Sequence, residues 1–71
     1  MTDSVYAVSE IVGTSTESWE RAAANAVERA SQTLRDLRVA EIVQLDLTIE
    51  DGRVQHYRAR VKVSFKYESR A

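Results

Sequence analysis

The stretch Thr33–Leu47, TLRDLRVAEIVQLDL, begins as the end of a helix and finishes as a strand. From Val39 the apolar period falls from 3.6 to 2. Val39, Val43, Leu45, Leu47 and Ile49 then share one face, with Glu41 as the exception, and Gln44, Asp46, Thr48 and Glu50 share the other. Ala40 and Ile42 interrupt that polar face, as Val54 does in the segment that follows.

Working outward, Tyr57, Ala59, Val61, Val63, Phe65 and Tyr67 alternate with His56, Arg58, Arg60, Lys62 and Lys66, which reads as a third strand with one apolar and one basic face. Between the two strands lies Glu50-Asp51-Gly52. A two-residue Asp51-Gly52 loop would put Leu45 on the face of Arg58. A three-residue loop with Gly52 in the left-handed region pairs Leu45 with Tyr57 and Val43 with Ala59, so face parity predicts the longer loop unless a bulge resets the register. The same register sets Arg58 opposite Gln44 and His56 opposite Asp46.

Upstream, SVYAVSEIV is rich in β-branched and aromatic residues and stops at Gly13, which predicts a first strand over about residues 4 to 12. GTSTES offers hydroxyl caps, of which Ser18 is the expected N-cap, with Glu20 well placed for the helix dipole. Trp19, Ala22, Ala23, Ala26, Val27, Ala30 and Leu34 follow helical spacing, predicting an amphipathic helix of about four to five turns. Its apolar face is thin and alanine-rich, suited to close approach to a sheet.

The order is therefore β-α-β-β, an α+β fold. A right-handed crossover makes the first two strands parallel, with the third antiparallel between them in order 1-3-2. Seventy-one residues without an internal linker form a single domain over 1–71. So small a core is marginal. There are no cysteines, and one histidine cannot build a zinc site of the usual kind, so self-assembly is the expected supplement. Ten basic and eleven acidic side chains give a net charge of −1, which removes the general electrostatic case for nucleic acid or an anionic membrane. No apolar run approaches the ~20 residues of a membrane span, and the N-terminus does not read as a signal peptide, so the cytoplasm is the expected location.

No nucleophile, base and orienting group can be assembled, and no enzyme is expected. Trp19 reads as packing, with ligand stacking as the alternative. His56 reads as a solvated or interfacial side chain. Arg58, Arg60 and Lys62 face Asp46, Thr48 and Glu50 across the sheet, which reads as cross-strand or intersubunit pairing, with an anionic ligand as the alternative.

YAVSEIVGTSTESWERAAANAVERA, followed by a polar-faced hairpin and VKVSFK, resembles the dodecins over nearly the whole chain. The resemblance implies a β-α-β-β subunit, a hollow homododecamer and a non-enzymatic small-ligand binding or storage role. Flavin-binding dodecins carry a Trp near the start of the second strand that stacks on the isoalloxazine ring, and a Gln on the third strand that bonds its edge. Here those positions correspond to Val39 and Arg58, so flavin (riboflavin or FMN) binding is expected to be weak or lost. SWE, RVA and VSFK are closer to a mycobacterial-type branch described as calcium dodecins, which makes calcium the candidate cation.

In an assembly, symmetry would gather copies of the Asp46 carboxylate. Calcium would relieve their repulsion, with the amide oxygen of Gln44 as a neutral ligand and Glu50 as a second acid. Val39, Arg58 and Gln44 are thus the expected small-ligand positions, and Asp46 and Glu50 the expected metal ligands. The expected partners are further copies of the chain and a small ligand or cation. The alternatives are a structural or protein-interaction shell without a small ligand, and a flavin-binding dodecin with an altered pocket.

Overall fold

The computed structural model describes residues 4–66. Strand β1 (Tyr6–Ser15) leads into helix α1 (Trp19–Ala30), which is followed by strands β2 (Leu37–Glu50) and β3 (Arg53–Lys66). The sheet order is β1-β3-β2, and β3 runs antiparallel to both neighbours. The expected β-α-β-β topology is the one found. No helix among the described residues is long and apolar enough to cross a membrane.

Strand β1 does not stop at Gly13 but continues to Ser15, with Gly13 paired to Ala59. The glycine is there for closeness. A Cβ at Gly13 would stand 2.1 Å from the backbone oxygen of Ala22 and 2.9 Å from the Cβ of Ala26. The helix can rest this near the sheet only because its own face is alanine and the strand beneath has no side chain. Ala22, Ala26, Ala59, Val61 and Val63 form the buried cluster, with Ile11, Ala23, Val27, Leu34 and Leu37 packed around it.

The helix begins where its cap predicts. The Ser18 hydroxyl accepts from the Arg21 amide at 2.9 Å, and the Ser15 hydroxyl accepts from the Glu17 amide at 2.9 Å, organising the turn before it. Asn25 donates to the Thr14 carbonyl at 3.0 Å and ties the helix to the end of β1. At twelve residues, α1 is shorter than expected. It ends at Ala30, and Leu34 packs on the core from the turn beyond it, its amide donating to the Ala30 carbonyl at 2.8 Å.

The hairpin differs from expectation. Glu50 pairs with Arg53, and Asp51 and Gly52 both have positive φ (53° and 73°), which is the two-residue turn whose twist suits a hairpin. Parity is restored by bulges: the register shifts between Thr48 and Ile49, between Ile42 and Gln44, and between Leu37 and Val39. The first leaves Gln55 extra on β3. The second leaves Val43 extra on β2, and there the faces of β2 exchange. Ala40 and Ile42 stand opposite Val63 and Val61 on the helix side, while Val39 and Glu41 stand opposite Ser64 and Lys62 on the open side. The expectation that Val39 shares the face of Leu45 and Leu47 is corrected by this bulge. It also accounts for Glu41 on an apolar face and Ala40 and Ile42 on a polar one, since neither anomaly exists in the folded chain. Tyr67, expected on the apolar face of β3, lies outside the described residues.

The helix lies over β1 and β3 and barely touches β2. The hairpin between Leu47 and His56 extends past the last β1 pair, Ser15 with Tyr57. The result is a long body, 55 × 20 × 14 Å, whose radius of gyration of 14.9 Å exceeds the value of about 11 Å expected for a globule of this length.

Candidate ligand face

The face of the sheet away from α1 collects the polar residues of all three strands. Across the rungs of β2 and β3, Glu41 stands opposite Lys62, Gln44 opposite Arg60, Asp46 opposite Arg58 and Thr48 opposite His56. Gln44 and Asp46 do leave the same side of β2, as their spacing implies. Their partners are shifted two residues along β3 from the expected ones, because the turn is one residue shorter and Gln55 is bulged.

Asp46 and Arg58 form a two-pronged pair. Arg58 Nε donates to Oδ1 at 2.7 Å and an Nη donates to Oδ2 at 2.8 Å. Such parallel charge-assisted bonds are the stronger kind of surface ion pair. The Arg58 hydrogen bonds hold the Asp46 carboxyl below its ordinary pKa, with the charges of Arg58 and Arg60 acting in the same direction, and Arg58 is raised in turn. The backbone beneath is pinned from the other side. Trp19 Nε1 donates to the Asp46 carbonyl at 3.1 Å, and its ring meets Tyr57 edge-on at 5.2 Å and 79°. Trp19 therefore packs, as its position in the helix stripe suggests, and it also fixes the rung that carries Asp46. No pattern in the sequence points to that bond, which spans 27 residues.

Arg60 reaches the other way, donating to Glu10 of β1 at 3.2 Å. Lys62 stands between Glu10 and Glu41, its register partners on the two sides. The basic row of β3 is thus matched by acids on both flanks. It is a charge-balanced surface rather than a polyanion track.

Of the expected site residues Asp46 and Arg58 meet, whereas Val39 and Glu50 share this face at a distance. Val39 stands opposite Ser64, six residues along β3 from Arg58, a separation of about 20 Å at strand rise. Glu50, opposite Arg53 at the turn, is four residues from Asp46, or about 13 Å. Among the described residues, no group of three or more His, Asp or Glu side chains is arranged to hold a metal ion.

The chain is similar to known proteins over nearly its whole length. The dodecin family model matches residues 5–68. Calcium dodecin of Mycobacterium tuberculosis is 46% identical over 63 residues, covering 89% of each chain. Dodecin from Streptomyces coelicolor superposes with a TM-score of 0.91 at 44% identity, over 99% of this chain and all of that one. The crystal structure of the M. tuberculosis calcium dodecin, described as calcium-chelating with a novel calcium-binding site, superposes with a TM-score of 0.81 at 43% identity, over 96% of this chain and 97% of that one. With a family model matched almost from end to end and a fold shared by relatives at more than 40% identity, this chain belongs to the dodecin family.

Proposed function

We propose that this chain is a non-enzymatic, cytoplasmic dodecin that assembles as a hollow homododecamer and holds a small ligand or cation on surfaces completed only by assembly. The observation that carries the reading is the spread of Val39, Gln44, Asp46, Glu50 and Arg58 along one open sheet face. One chain supplies a single wall, so the remaining walls of any pocket come from other copies. Native mass spectrometry of protein purified from cells tests this, because one spectrum reports stoichiometry and retained ligand. Twelve subunits are expected. A stable folded monomer at micromolar concentration overturns the reading.

Calcium is the proposed cation, in line with the M. tuberculosis relative. Calcium takes six to eight oxygens in general. Asp46 and Gln44 of one copy supply at most three, so symmetry-related copies provide the rest. In the single chain Arg58 occupies both oxygens of Asp46 and competes with the ion. Calorimetric titration of metal-stripped protein should therefore show calcium binding that Asp46→Asn weakens and Arg58→Gln strengthens. Unchanged affinity in Asp46→Asn removes that residue from the site.

Flavin binding is proposed to be weak. An aromatic side chain stacked on a base contributes ~1–3 kcal/mol. If a flavin ring behaves alike, valine at position 39 weakens binding roughly 5- to 150-fold. Riboflavin fluorescence should be little quenched by micromolar protein, and Val39→Trp combined with Arg58→Gln should recover part of the affinity. Strong quenching by the parent protein overturns this assignment.

A ligand-free shell is the second reading, favoured by the saturation of Asp46 by Arg58. Colourless protein with no calcium heat selects it.

A further inference from the structure

The hairpin that joins β2 to β3 turns on Asp51 and Gly52, both exposed and both with positive φ. Glu50 and Arg53 close the ladder on either side, so the two central residues lie outside the strand pairing. Among the described residues the Gly52 amide finds no acceptor and the Asp51 carboxylate no hydrogen-bond or ion-pair partner. A Cβ added at Gly52 would meet nothing within 4 Å, so the tip stands open.

We propose that Asp51 is a site of spontaneous isoaspartate formation, through a succinimide closed by the Gly52 amide nitrogen. The nitrogen loses its proton to solvent and attacks Asp51 Cγ. An N–Cγ bond forms, and the hydroxyl of the carboxyl group leaves as water. Water then adds to either carbonyl of the cyclic imide. Addition at Cγ restores aspartate, whereas addition at the main-chain carbonyl carbon breaks its bond to the Gly52 nitrogen. The chain then runs through Cβ and Cγ, with the α-carboxylate free. One water leaves and one enters, so mass is unchanged and no co-reactant is needed.

Three contrasts within the chain single out this aspartate. The first is the following residue: glycine has no side chain to crowd the attacking nitrogen, whereas Asp36 and Asp46 precede Leu37 and Leu47. The second is freedom of the carboxyl group. Arg58 holds both oxygens of Asp46, at 2.7 and 2.8 Å, and nothing described holds those of Asp51. The third is the backbone. Ring closure swings the next peptide toward the side chain, which inside a ladder breaks pairing and at an exposed loop tip does not. Asn25, the chain's one asparagine, is in α1, with its amide donating to the Thr14 carbonyl and Ala26 after it.

The product alters the turn locally. A two-residue turn suits this hairpin because its twist matches the strands, and an inserted backbone methylene removes that match. The Glu50–Arg53 rung loosens first. The Asp46–Arg58 rung, tied by its own side chains and by Trp19, is held.

Ageing the native, assembled protein at mildly acidic pH tests the proposal. Tryptic cleavage after Arg38 and Arg53 releases Val39–Arg53, which carries Asp46 beside Asp51 as an internal control. With time this peptide should split into two chromatographic species of identical mass, and electron-transfer fragmentation should place the isoaspartate at 51. The intact aged protein should become a methyl acceptor for an isoaspartyl carboxyl methyltransferase. An unaged sample digested in parallel subtracts isomer formed in handling. Asp51→Ser should lose both signals. Asp51→Asn, which keeps a residue suited to the turn, should release ammonia and yield the same isoaspartyl peptide sooner than the parent. A peptide that stays single in native protein and splits only after ageing in urea shows that the folded hairpin protects Asp51, and overturns the proposal. A single species under both conditions overturns it as well, and so does isoaspartate appearing at 46 as fast as at 51.

Discussion

Under the helix, the chain packs alanine and valine against a glycine. One strand further across the same sheet, the larger aliphatic side chains Ile42, Leu45, Leu47 and Ile49 line an exposed surface that no other described element covers. The two regions solve different problems. Beneath α1 the distance between layers is set by Gly13, Ala22 and Ala26, and bulk there would push the layers apart. Along β2 the described residues supply no covering layer, so bulk is available for contact with another surface. Among the described residues, the only fully buried side chains larger than alanine are Val61 and Val63. Burying a large aliphatic residue contributes about 1.5–3 kcal/mol, so a core this thin contributes little, while Val8, Val39, Ile42, Leu45, Ile49 and Val54 remain exposed.

The contrast breaks most visibly at Gly13. A new Cβ there would collide with a backbone oxygen, which no rotamer change relieves. Gly13→Ala should lower stability to urea by about 3 kcal/mol or more, and Gly13→Val should abolish folding. A loss below about 0.5 kcal/mol would mean that the helix is not held by this contact.

A paired experiment sharpens the comparison. Val61→Ala should cost about 2 kcal/mol by leaving a cavity in the core. Ile49→Ala, measured at concentrations low enough to dissociate the protein, should cost less than about 0.5 kcal/mol. In concentrated protein Ile49→Ala should weaken assembly instead. Equal losses at the two sites in dissociated protein would erase the distinction between the core and the exposed apolar side of β2.

The smallest effect is electrostatic. The folded pKa of Asp46 is lowered, so the folded chain holds the charged form more readily than the unfolded one does. Its stabilising contribution is present above the unfolded carboxyl pKa of about 3.9 and is lost as pH falls through the lower folded value. The pair is partly exposed, so the effect should be small and screened by salt. Asp46→Asn should flatten the acid limb of the stability profile slightly, with little change at pH 7. An unchanged acid limb would show that Arg58 stabilises the carboxylate no better than water does.

Much of this was legible in the residues. Ser18 caps the helix because its hydroxyl can reach an orphan amide, a local event that needs no tertiary partner. The buried Ala59, Val61 and Val63 and the basic row between them follow from an uninterrupted period of 2 in β3. The helix side chains Ala22, Ala26 and Ala30 follow from a period of 3.6. The candidate site was only half legible. Gln44 and Asp46 share a face because they are two residues apart with no bulge between, whereas the identity of their partners depended on the turn.

Local sequence thus determined the element order, the helix cap and the faces of β3 from His56 onward. The tertiary structure alone decided the two-residue turn, the bulges at Val43 and Gln55, the side on which Val39 and Ile42 stand, and the pairing of Asp46 with Arg58. The physical reason is that alternation reports a face only along an unbroken ladder, and one extra residue reverses it. Glu41 among apolar neighbours and Ile42 among polar ones were the trace of that reversal. Which residue bulges is settled by how β2 and β3 close against the helix, and the strength of the Asp46–Arg58 pair follows from a register that closure imposes.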